Sequence, residues 1–463
     1  MNGIFRTFAA ISLLLFTALS SIAYDFKVDG IYYTVTNPND KTVAVSYKEY
    51  TPAQSGGGIV YVNDYAGNVD IPEKVTYFGN SYDVTGITDR AFYGCPELTS
   101  VKMANSIASV GEQAFKECTK LSEIMISEAI TEISREMFYN CKSLQSVVIP
   151  NSVINIAPLA FAQCTKLTTI TIGNSVKNMG GESFMRCENL NDVHITDLVA
   201  WNNIEHGGNL SSPLCYAKHL YLNGEEVTKI NLPNTITNIG DFAFANLCNL
   251  TEITIPNSVK SIGASAFIRC TGLQELKIPA SVTNIRSGAF SGCSGLSEFC
   301  IPESVTSLGS SVFAGCSGLK EVKLPNSITN IKDYTFDGCP GLAKLTIPAS
   351  VTSLGSYVFR GCTALTELKV PNSVTNIDAY AFYESSIKDL YCNAVRPPYT
   401  SDTRFYRAPF SASTLYVPSG SADIYKTISP WSTFGAIKEM EFSEQMEKPE
   451  QTGTVRRSRV GHF

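Results

Sequence analysis

A 23-residue repeat runs through most of the chain and limits its possible folds more than any other feature. Phenylalanine recurs at this spacing, with one larger interval of 60 residues between Phe184 and Phe244. The series comprises Phe92, Phe115, Phe138, Phe161, Phe184, Phe244, Phe267, Phe290, Phe313, Phe336, Phe359 and Phe382. A coil of 23 residues cannot enclose its own apolar side chains. Neighbouring coils must therefore stack and bury these side chains in one shared core.

Each coil combines a strand pattern with a polar arc. In the coil around Phe267, apolar residues alternate with polar ones from Leu250 to Ile255, which is the period of a strand with one buried face. Pro256 ends this strand because proline has no amide hydrogen to donate to a sheet. The fold class predicted is a repeat solenoid of about 12 or more coils of 23 residues. Each coil should have a short parallel β-strand and a short helical or irregular arc, and β-rich caps should close the ends.

The string from Leu250 to Leu273 resembles the leucine-rich repeat of the BspA type, which is found on surface or secreted proteins of Bacteroidetes. The resemblance recurs in register over a dozen coils. Where the commonest leucine-rich repeat has Asn or Cys after the strand, this chain has Ser106, Ser152, Ser258, Ser281, Ser304, Ser327, Ser350 and Ser373. We expect these hydroxyls to hydrogen-bond backbone groups and so hold the loop turn.

The first 23 residues have the pattern of a secretory signal. Arg6 precedes an apolar segment over residues 8–16, and the small residues Ser21 and Ala23 stand where a signal peptidase cuts. A membrane anchor is the alternative, but this apolar segment is shorter than the ~20 residues that a bilayer span needs. We predict cleavage after Ala23, no transmembrane anchor afterwards, and an exported protein that is secreted, periplasmic or at the cell surface.

The rest of the chain divides into segments according to where the 23-residue repeat is present or absent. Val28-Asp29-Gly30-Ile31 is typical of a hairpin with a two-residue turn, and the bulky residues Trp431 and Phe434 should close the last coil. The tail is polar and has no periodicity, so we expect it to be disordered. The predicted domains are an N-terminal β cap (24–83), a first repeat block (84–190), an insertion (191–227), a second repeat block (228–390), a C-terminal cap (391–440) and the tail (441–463).

Composition and residue spacing argue against nucleic-acid binding, a metal site and the common types of catalytic site. With 36 Lys+Arg against 42 Asp+Glu, the chain has no basic footprint for nucleic acid. Its four histidines have no metal-ligand spacing, and nucleophile-elbow, zinc-protease and nucleotide-loop motifs do not occur. We therefore predict no cofactor, no metal and no enzyme. A hydrolase is the remaining alternative, and it would need clustered groups around Asp192, His194, Glu205 and His206.

Eleven of the fourteen cysteines follow the repeat, most of them three residues after a phenylalanine. They are Cys95, Cys118, Cys141, Cys164, Cys187, Cys248, Cys270, Cys293, Cys316, Cys339 and Cys362. An oxidising compartment would allow neighbours to pair, but parallel Cβ vectors keep stacked Cβ atoms farther apart than the ~3.8 Å typical of disulfides. Buried free thiols are therefore favoured. Cys300 occupies an outward strand position, and we expect its thiol to be accessible.

The outward strand positions carry charge, and we predict that they bind a partner. The candidate partner-binding residues are Glu252, Glu275, Lys277, Glu298, Glu321, Lys323, Glu367 and Lys369. A solvated face is the alternative, because each like-charge contact costs only about 1 kcal/mol in water. A solenoid nevertheless presents a rigid, repeated surface that suits extended partners.

The family resemblance implies an adhesin-like protein that binds extracellular proteins, either host matrix proteins or proteins at cell–cell contacts. The alternative is a glycan-binding or surface-assembly accessory protein of structural role.

Overall fold

A computed structural model describes residues 21–52, 59–208, 210–378, 380–400 and 405–442. The predicted signal sequence up to residue 20 and the predicted tail from residue 443 lie outside the described residues. The chain forms two compact units: one extends to Val227 and includes Gly240–Asn249, and the other contains Thr228–Ile239 and the chain from Leu250 onward. None of the helices in the described part is long and apolar enough to cross a membrane.

The first unit begins with a β-rich region in which the predicted hairpin forms. Its strands are β1 (Ser21–Ile22), β2 (Phe26–Val28), β3 (Ile31–Asn37), β4 (Thr42–Val45), β5 (Glu49–Pro52), β6 (Ile59–Val62), β7 (Gly67–Ile71), β8 (Lys74–Tyr77) and β9 (Asn80–Ile87). β2 and β3 pair antiparallel, with Val28 opposite Ile31. Asp29 and Gly30 have φ of 49° and 85°, as a two-residue primed turn requires. The ring of Tyr65 contacts Phe92, with the two centroids 4.4 Å apart, so this region covers the first coil.

The coils of the first unit follow directly. Their strands are β10 (Leu98–Met103), β11 (Ser109–Val110), β12 (Glu123–Met125), β13 (Glu132–Ile133), β14 (Ser146–Val148), β15 (Asn155–Ile156), β16 (Thr169–Thr171), β17 (Asn178–Met179), β18 (Asp192–Ile195), β19 (Glu205–His206), β20 (His219–Leu222) and β21 (Glu225–Glu226). Helix α1 (Leu198–Asn202) and a 3-10 turn (Pro213–Cys215) interrupt them. Residues 191–227, predicted as an insertion, continue both strand ladders, because β18 extends β14-β16 and β19 extends β13-β15-β17.

The second unit contains further coils and a closing region. Its strands are β22 (Lys229–Asn231), β23 (Asn238–Ile239), β24 (Glu252–Thr254), β25 (Ser261–Ile262), β26 (Asn284–Ile285), β27 (Glu298–Cys300), β28 (Ser307–Leu308), β29 (Glu321–Lys323), β30 (Asn330–Ile331), β31 (Lys344–Thr346), β32 (Ser353–Leu354), β33 (Glu367–Val370), β34 (Asn376–Ile377), β35 (Asp389–Cys392), β36 (Thr414–Pro418) and β37 (Ala436–Met440). Helix α2 (Ala422–Thr427) and two 3-10 turns (Phe410–Ala412 and Trp431–Thr433) lie between the last strands. Phe405 and Phe410, which were not predicted for this role, contact the ring of Phe382, and the predicted closing residues Trp431 and Phe434 pack against Phe405.

The repeat solenoid is confirmed in both units. Strands of equivalent position pair in parallel at a 23-residue register, for example Val147 with Ile170. The core phenylalanines are fully buried, and neighbouring rings stack with centroids 4.9 to 6.1 Å apart. Each coil also contributes a two-residue strand that the sequence analysis did not anticipate. These short strands form a second ladder, in which Asn178 donates a side-chain hydrogen bond of 2.7 Å to Asn155.

One coil departs from the predicted pattern. Its segment from Leu273 to Ile278, which carries the candidates Glu275 and Lys277, forms no strand, so the outer ladder stops after β24 and resumes at β27. Leu273 and Leu276 are nevertheless buried at their core positions. Side-chain packing and the pairing of β26 with β25 and β28 therefore keep this coil in place without an outer strand.

Ten of the eleven repeat cysteines are buried as predicted, Cys248 is half-buried, and eight of the eleven make a repeated hydrogen bond. No disulfide joins the cysteines of the described residues, and the thiol of a coil donates to the carbonyl of the phenylalanine 26 residues earlier, at 3.0 to 3.2 Å. The donors are Cys118, Cys141, Cys164, Cys187, Cys293, Cys316, Cys339 and Cys362. Cys300 is exposed, as predicted. A buried thiol thus acts both as a core hydrophobe and as a weak donor between coils.

The serine hydroxyls also join neighbouring coils. Seven of the eight predicted serines donate to the carbonyl of the residue 22 positions earlier, at 2.5 to 2.7 Å, as Ser304 does to Val282. The exception is Ser152, whose buried hydroxyl has no partner among the described residues. The predicted bonding to backbone groups is confirmed at seven positions, and it connects each turn to the preceding coil.

Candidate binding surfaces

Six of the eight predicted charged residues lie on outer strands of the second unit, in three separate sheets, whereas Glu275 and Lys277 lie on the coil that forms no outer strand. Glu252 belongs to the β22-β24 sheet, Glu298, Glu321 and Lys323 to the β27-β29-β31 sheet, and Glu367 and Lys369 to the last sheet. All eight candidates are exposed except Glu321, which is half-buried. Within the middle sheet the register brings Glu298 opposite Glu321 and Cys300 opposite Lys323.

Lysines partly neutralise this face. Lys229 lies 2.9 Å from Glu252, while Lys277 lies 3.4 Å from Glu275. The pairs Lys369–Glu367 and Lys344–Glu321 are longer, at 3.8 and 4.0 Å. Because exposed pairs contribute at most about 1 kcal/mol, these charges do little for the stability of the fold.

The lysine column continues into two stacked tyrosines. Lys369 pairs with Tyr391, Tyr391 with Tyr416, and Tyr416 with Lys438 in the parallel register of β33, β35, β36 and β37. The two rings lie 4.5 Å apart and nearly parallel, and each lysine ammonium lies within 6 Å of a ring centroid. The sequence analysis missed this pair because the spacing changes from 23 to 22 and then 25 residues there. The repeated pattern of apolar residues around each tyrosine was the available signal.

A second surface lies on the arcs that follow the strands. Tyr334, Tyr357 and Tyr380 stand two residues before consecutive core phenylalanines, and their rings stack with centroids 5.1 and 5.0 Å apart. All three have φ of 57° to 58°, a left-handed conformation that recurs at this coil position. Tyr383 and Tyr406 stand nearly perpendicular to Tyr380, at 82° and 81°. We call Tyr334, Tyr357, Tyr380, Tyr383 and Tyr406, with Arg360 and Arg407, the tyrosine surface.

Carboxylates hold the two arginines of the tyrosine surface. Arg360 donates hydrogen bonds of 2.5 and 2.6 Å to Asp337, which raise the pKa of the guanidinium. Arg407 donates to Glu384 at 3.3 Å and to the hydroxyl of Tyr383 at 3.2 Å. Each guanidinium also lies within 6 Å of two tyrosine ring centroids. The surface is therefore aromatic and rich in donors, and its cations are locally balanced.

Sequence reasoning missed the tyrosine surface although a signal was present. Tyr334, Tyr357 and Tyr380 share the 23-residue spacing of the core, and the position one coil earlier is Ser311. Identical spacing in a solenoid places side chains directly above one another. A search of the repeat for outward aromatic residues would have found the stack.

The residues proposed for a hydrolase are not brought together. Asp192 and His194 lie on β18, whereas Glu205 and His206 lie on β19 in a different sheet. Burial lowers the pKa of His206 to about 4, so its ring is neutral near pH 7. Among the described residues, no group of three or more His, Cys, Asp or Glu side chains is placed to hold a metal ion. The geometry therefore gives no support to a catalytic site in this region.

Comparison with known proteins shows to which family the repeat belongs. The family model described as "BspA type Leucine rich repeat region" matches residues 85–205, 217–343 and 295–396 in six copies. A crystal structure of a leucine-rich repeat protein from Bacteroides ovatus is similar, with 27% identity and a TM-score of 0.61, over 90% of this chain and 100% of that one. A leucine-rich cell surface protein from Faecalibacterium prausnitzii has the same fold, with 24% identity and a TM-score of 0.55, over 79% of this chain and 94% of that one. No curated protein matches the chain. Since the family model covers more than half of the residues in register with the coils, the chain belongs to the BspA-type leucine-rich repeat family.

Proposed function

We propose that this protein is exported and binds extracellular protein partners through the outer strand face of its second unit. The family supports this function, because solenoid repeats act through extended surfaces and the chain lacks recognisable catalytic motifs. The partner is a host matrix protein or a protein at a cell–cell contact, and its contact surface carries charges complementary to this face.

One observation carries the proposal. Glutamates and lysines recur at the outward positions of successive coils, in fixed register within β27-β29-β31, and three of their four ion pairs are 3.4 to 4.0 Å long. Such pairs exchange their mutual contacts for those of a partner at little cost. The parallel register fixes the spacing of the charges within β27-β29-β31, so complementary charges on a partner gain specificity and association rate there.

The test is a charge-removing triple variant, Glu275→Gln with Glu298→Gln and Lys323→Met. Binding of the purified protein to immobilised matrix proteins and to glycans would be measured by biolayer interferometry, beside thermal melting. We expect protein binding to fall at least tenfold with melting unchanged. A matched variant in the first unit, Glu97→Gln with Glu123→Gln and Lys102→Met, removes the same charges from exposed positions and should bind normally.

Two outcomes would contradict the proposal. If the triple variant binds every matrix protein as the native chain does, the outer face is only a solvated surface. If glycans bind and no protein does, the glycan-binding accessory role replaces the one proposed.

A further inference from the structure

We propose that the tyrosine surface is a docking site for an extended, uncharged, proline-rich chain in the polyproline II conformation. This inference goes beyond the proposed function, because the tyrosine surface lies on the arcs of the second unit and not on its strand face. It names a second binding site and the chemistry of its ligand.

The hydrogen-bonding groups of the surface fit such a ligand. Five phenol hydroxyls, which can also accept, and two guanidinium groups provide donors, while Asp337, Glu384 and the hydroxyl of Tyr383 already accept hydrogen bonds from the arginines. A polyproline II chain has no internal hydrogen bonds, and its prolines offer carbonyl acceptors without amide donors. The phenol and guanidinium donors of this surface can therefore bond the carbonyls of such a ligand.

The spacing of the rings also fits. Tyr334, Tyr357 and Tyr380 follow one another at 5.1 and 5.0 Å, so the outer rings are about 10 Å apart. Polyproline II rises about 3.1 Å per residue with three residues per turn, or about 9.3 Å per turn. One turn of the ligand thus spans the three stacked rings. Tyr383 and Tyr406, perpendicular to Tyr380, line the end of this row with further aromatic surface, as in other proline-recognition sites.

The geometry disfavours two other ligands. A sugar ring packs on an exposed aromatic face, but both faces of Tyr357 are covered by Tyr334 and Tyr380. A polyanion needs unpaired cations, but Arg360 and Arg407 are held by Asp337 and Glu384. Tyr334 is 36% and Tyr406 57% exposed, while Tyr357, Tyr380 and Tyr383 are half-buried, so only part of each of these three side chains is accessible to a ligand.

The surface is ordered before binding. The three stacked tyrosines rest on a repeated left-handed backbone position, and cation–π contacts fix the arginines over the rings. Tyrosine has few rotatable bonds, so its side chain loses little entropy on binding. A polyproline II chain is also preformed, which lowers the entropic cost on the ligand side.

The probe for this site is fluorescein-labelled decaproline, titrated with the full purified protein and followed by fluorescence anisotropy. A Gly-Ser peptide of equal length controls for non-specific binding. The test variant is Tyr357→Asn with Tyr380→Asn, because asparagine tolerates the left-handed conformation at both positions. Ser311→Asn is the matched control, since Ser311 has a φ of 59° at the same position of an earlier coil. Tyr383→Phe removes one hydroxyl donor and leaves the ring, so it tests the site without disturbing the fold.

We expect saturable binding of decaproline but not of the Gly-Ser peptide, a loss of at least tenfold in the double variant, and a severalfold loss in Tyr383→Phe. Ser311→Asn and the strand-face triple variant should bind decaproline normally, which separates this site from the proposed function. Absence of saturable decaproline binding would overturn the proposal. The proposal would also be overturned if the double variant and Tyr383→Phe both bound decaproline as tightly as the native protein does. A preference for chitohexaose over decaproline that depends on the tyrosines would overturn it as well.

Discussion

The stacked phenylalanine column makes a strong prediction about stability at Phe290. This side chain is fully buried and its ring stacks between those of Phe267 and Phe313, each 5.8 Å away. It also packs against Phe299, with the centroids 4.9 Å apart. Truncating a large buried aromatic residue costs about 3–5 kcal/mol, and three lost ring contacts place Phe290→Ala near the upper end of that range.

The two tryptophans provide the assay. Trp201 lies in the first unit, and Trp431 is fully buried in the second, the unit that contains Phe290. In a Trp201→Phe background, fluorescence reports only on the surroundings of Trp431. With an m-value of about 2–3 kcal/mol per molar urea, a loss of 3–5 kcal/mol lowers the urea midpoint by about 1–2.5 M.

Two controls frame this result. Phe290→Leu retains most of the side-chain volume and should lower the midpoint less than Phe290→Ala does. Glu298→Ala removes an exposed side chain of the next coil, and its effect on the free energy of unfolding should stay within about 0.5 kcal/mol. A loss below about 1 kcal/mol for Phe290→Ala would refute the shared core as the main source of stability.

Two further predictions concern close packing and buried thiols. Gly309→Ala should destabilise the fold by about 1–3 kcal/mol in urea unfolding, because an added Cβ would lie 2.3 Å from the backbone nitrogen of Ser287. The control is Lys332→Ala, at the same position one coil later, which should leave the stability nearly unchanged. Burial raises the pKa of Cys316 and Cys362 from 9.0 to about 12, so the unfolded chain releases these protons first as the pH rises. The contribution of these thiols to the free energy of unfolding is complete below pH ~9. It is lost between pH ~9 and ~12, by up to about 1.4 kcal/mol per pH unit for each thiol. A melting temperature that stays constant from pH 8 to 11 would contradict this prediction.

The repeat allowed the fold to be predicted because one spacing controls both burial and strand position. Phe290 and Cys293 recur at intervals of 23 residues, and their spacing alone places them in a column. The two-residue ladder was not predicted, because a pair such as Asn284–Ile285 is too short to show an alternating pattern. Its pairing depends on the coil spacing that the phenylalanines set.

The candidate surfaces were predictable only in part. The outward position of Glu298 follows from alternation along its strand, and its exposure agrees with that prediction. The carboxylates that hold Arg360 and Arg407 come from residues 23 positions earlier, so these contacts exist only after the coils have stacked. Hydrogen bonds of this kind depend on side-chain conformations that a periodicity analysis does not provide.

The thiol and serine hydrogen bonds have a consequence for how such a chain changes over generations. Wherever these bonds form, the accepting carbonyl lies at a fixed offset of 26 residues before the thiol or 22 residues before the serine. Duplication or deletion of a whole 23-residue segment preserves every one of these offsets, whereas gain or loss of a single residue within a coil disrupts them. Unequal recombination between near-identical repeats would therefore yield longer or shorter proteins that still fold, and the area of the binding surfaces would change in whole coils.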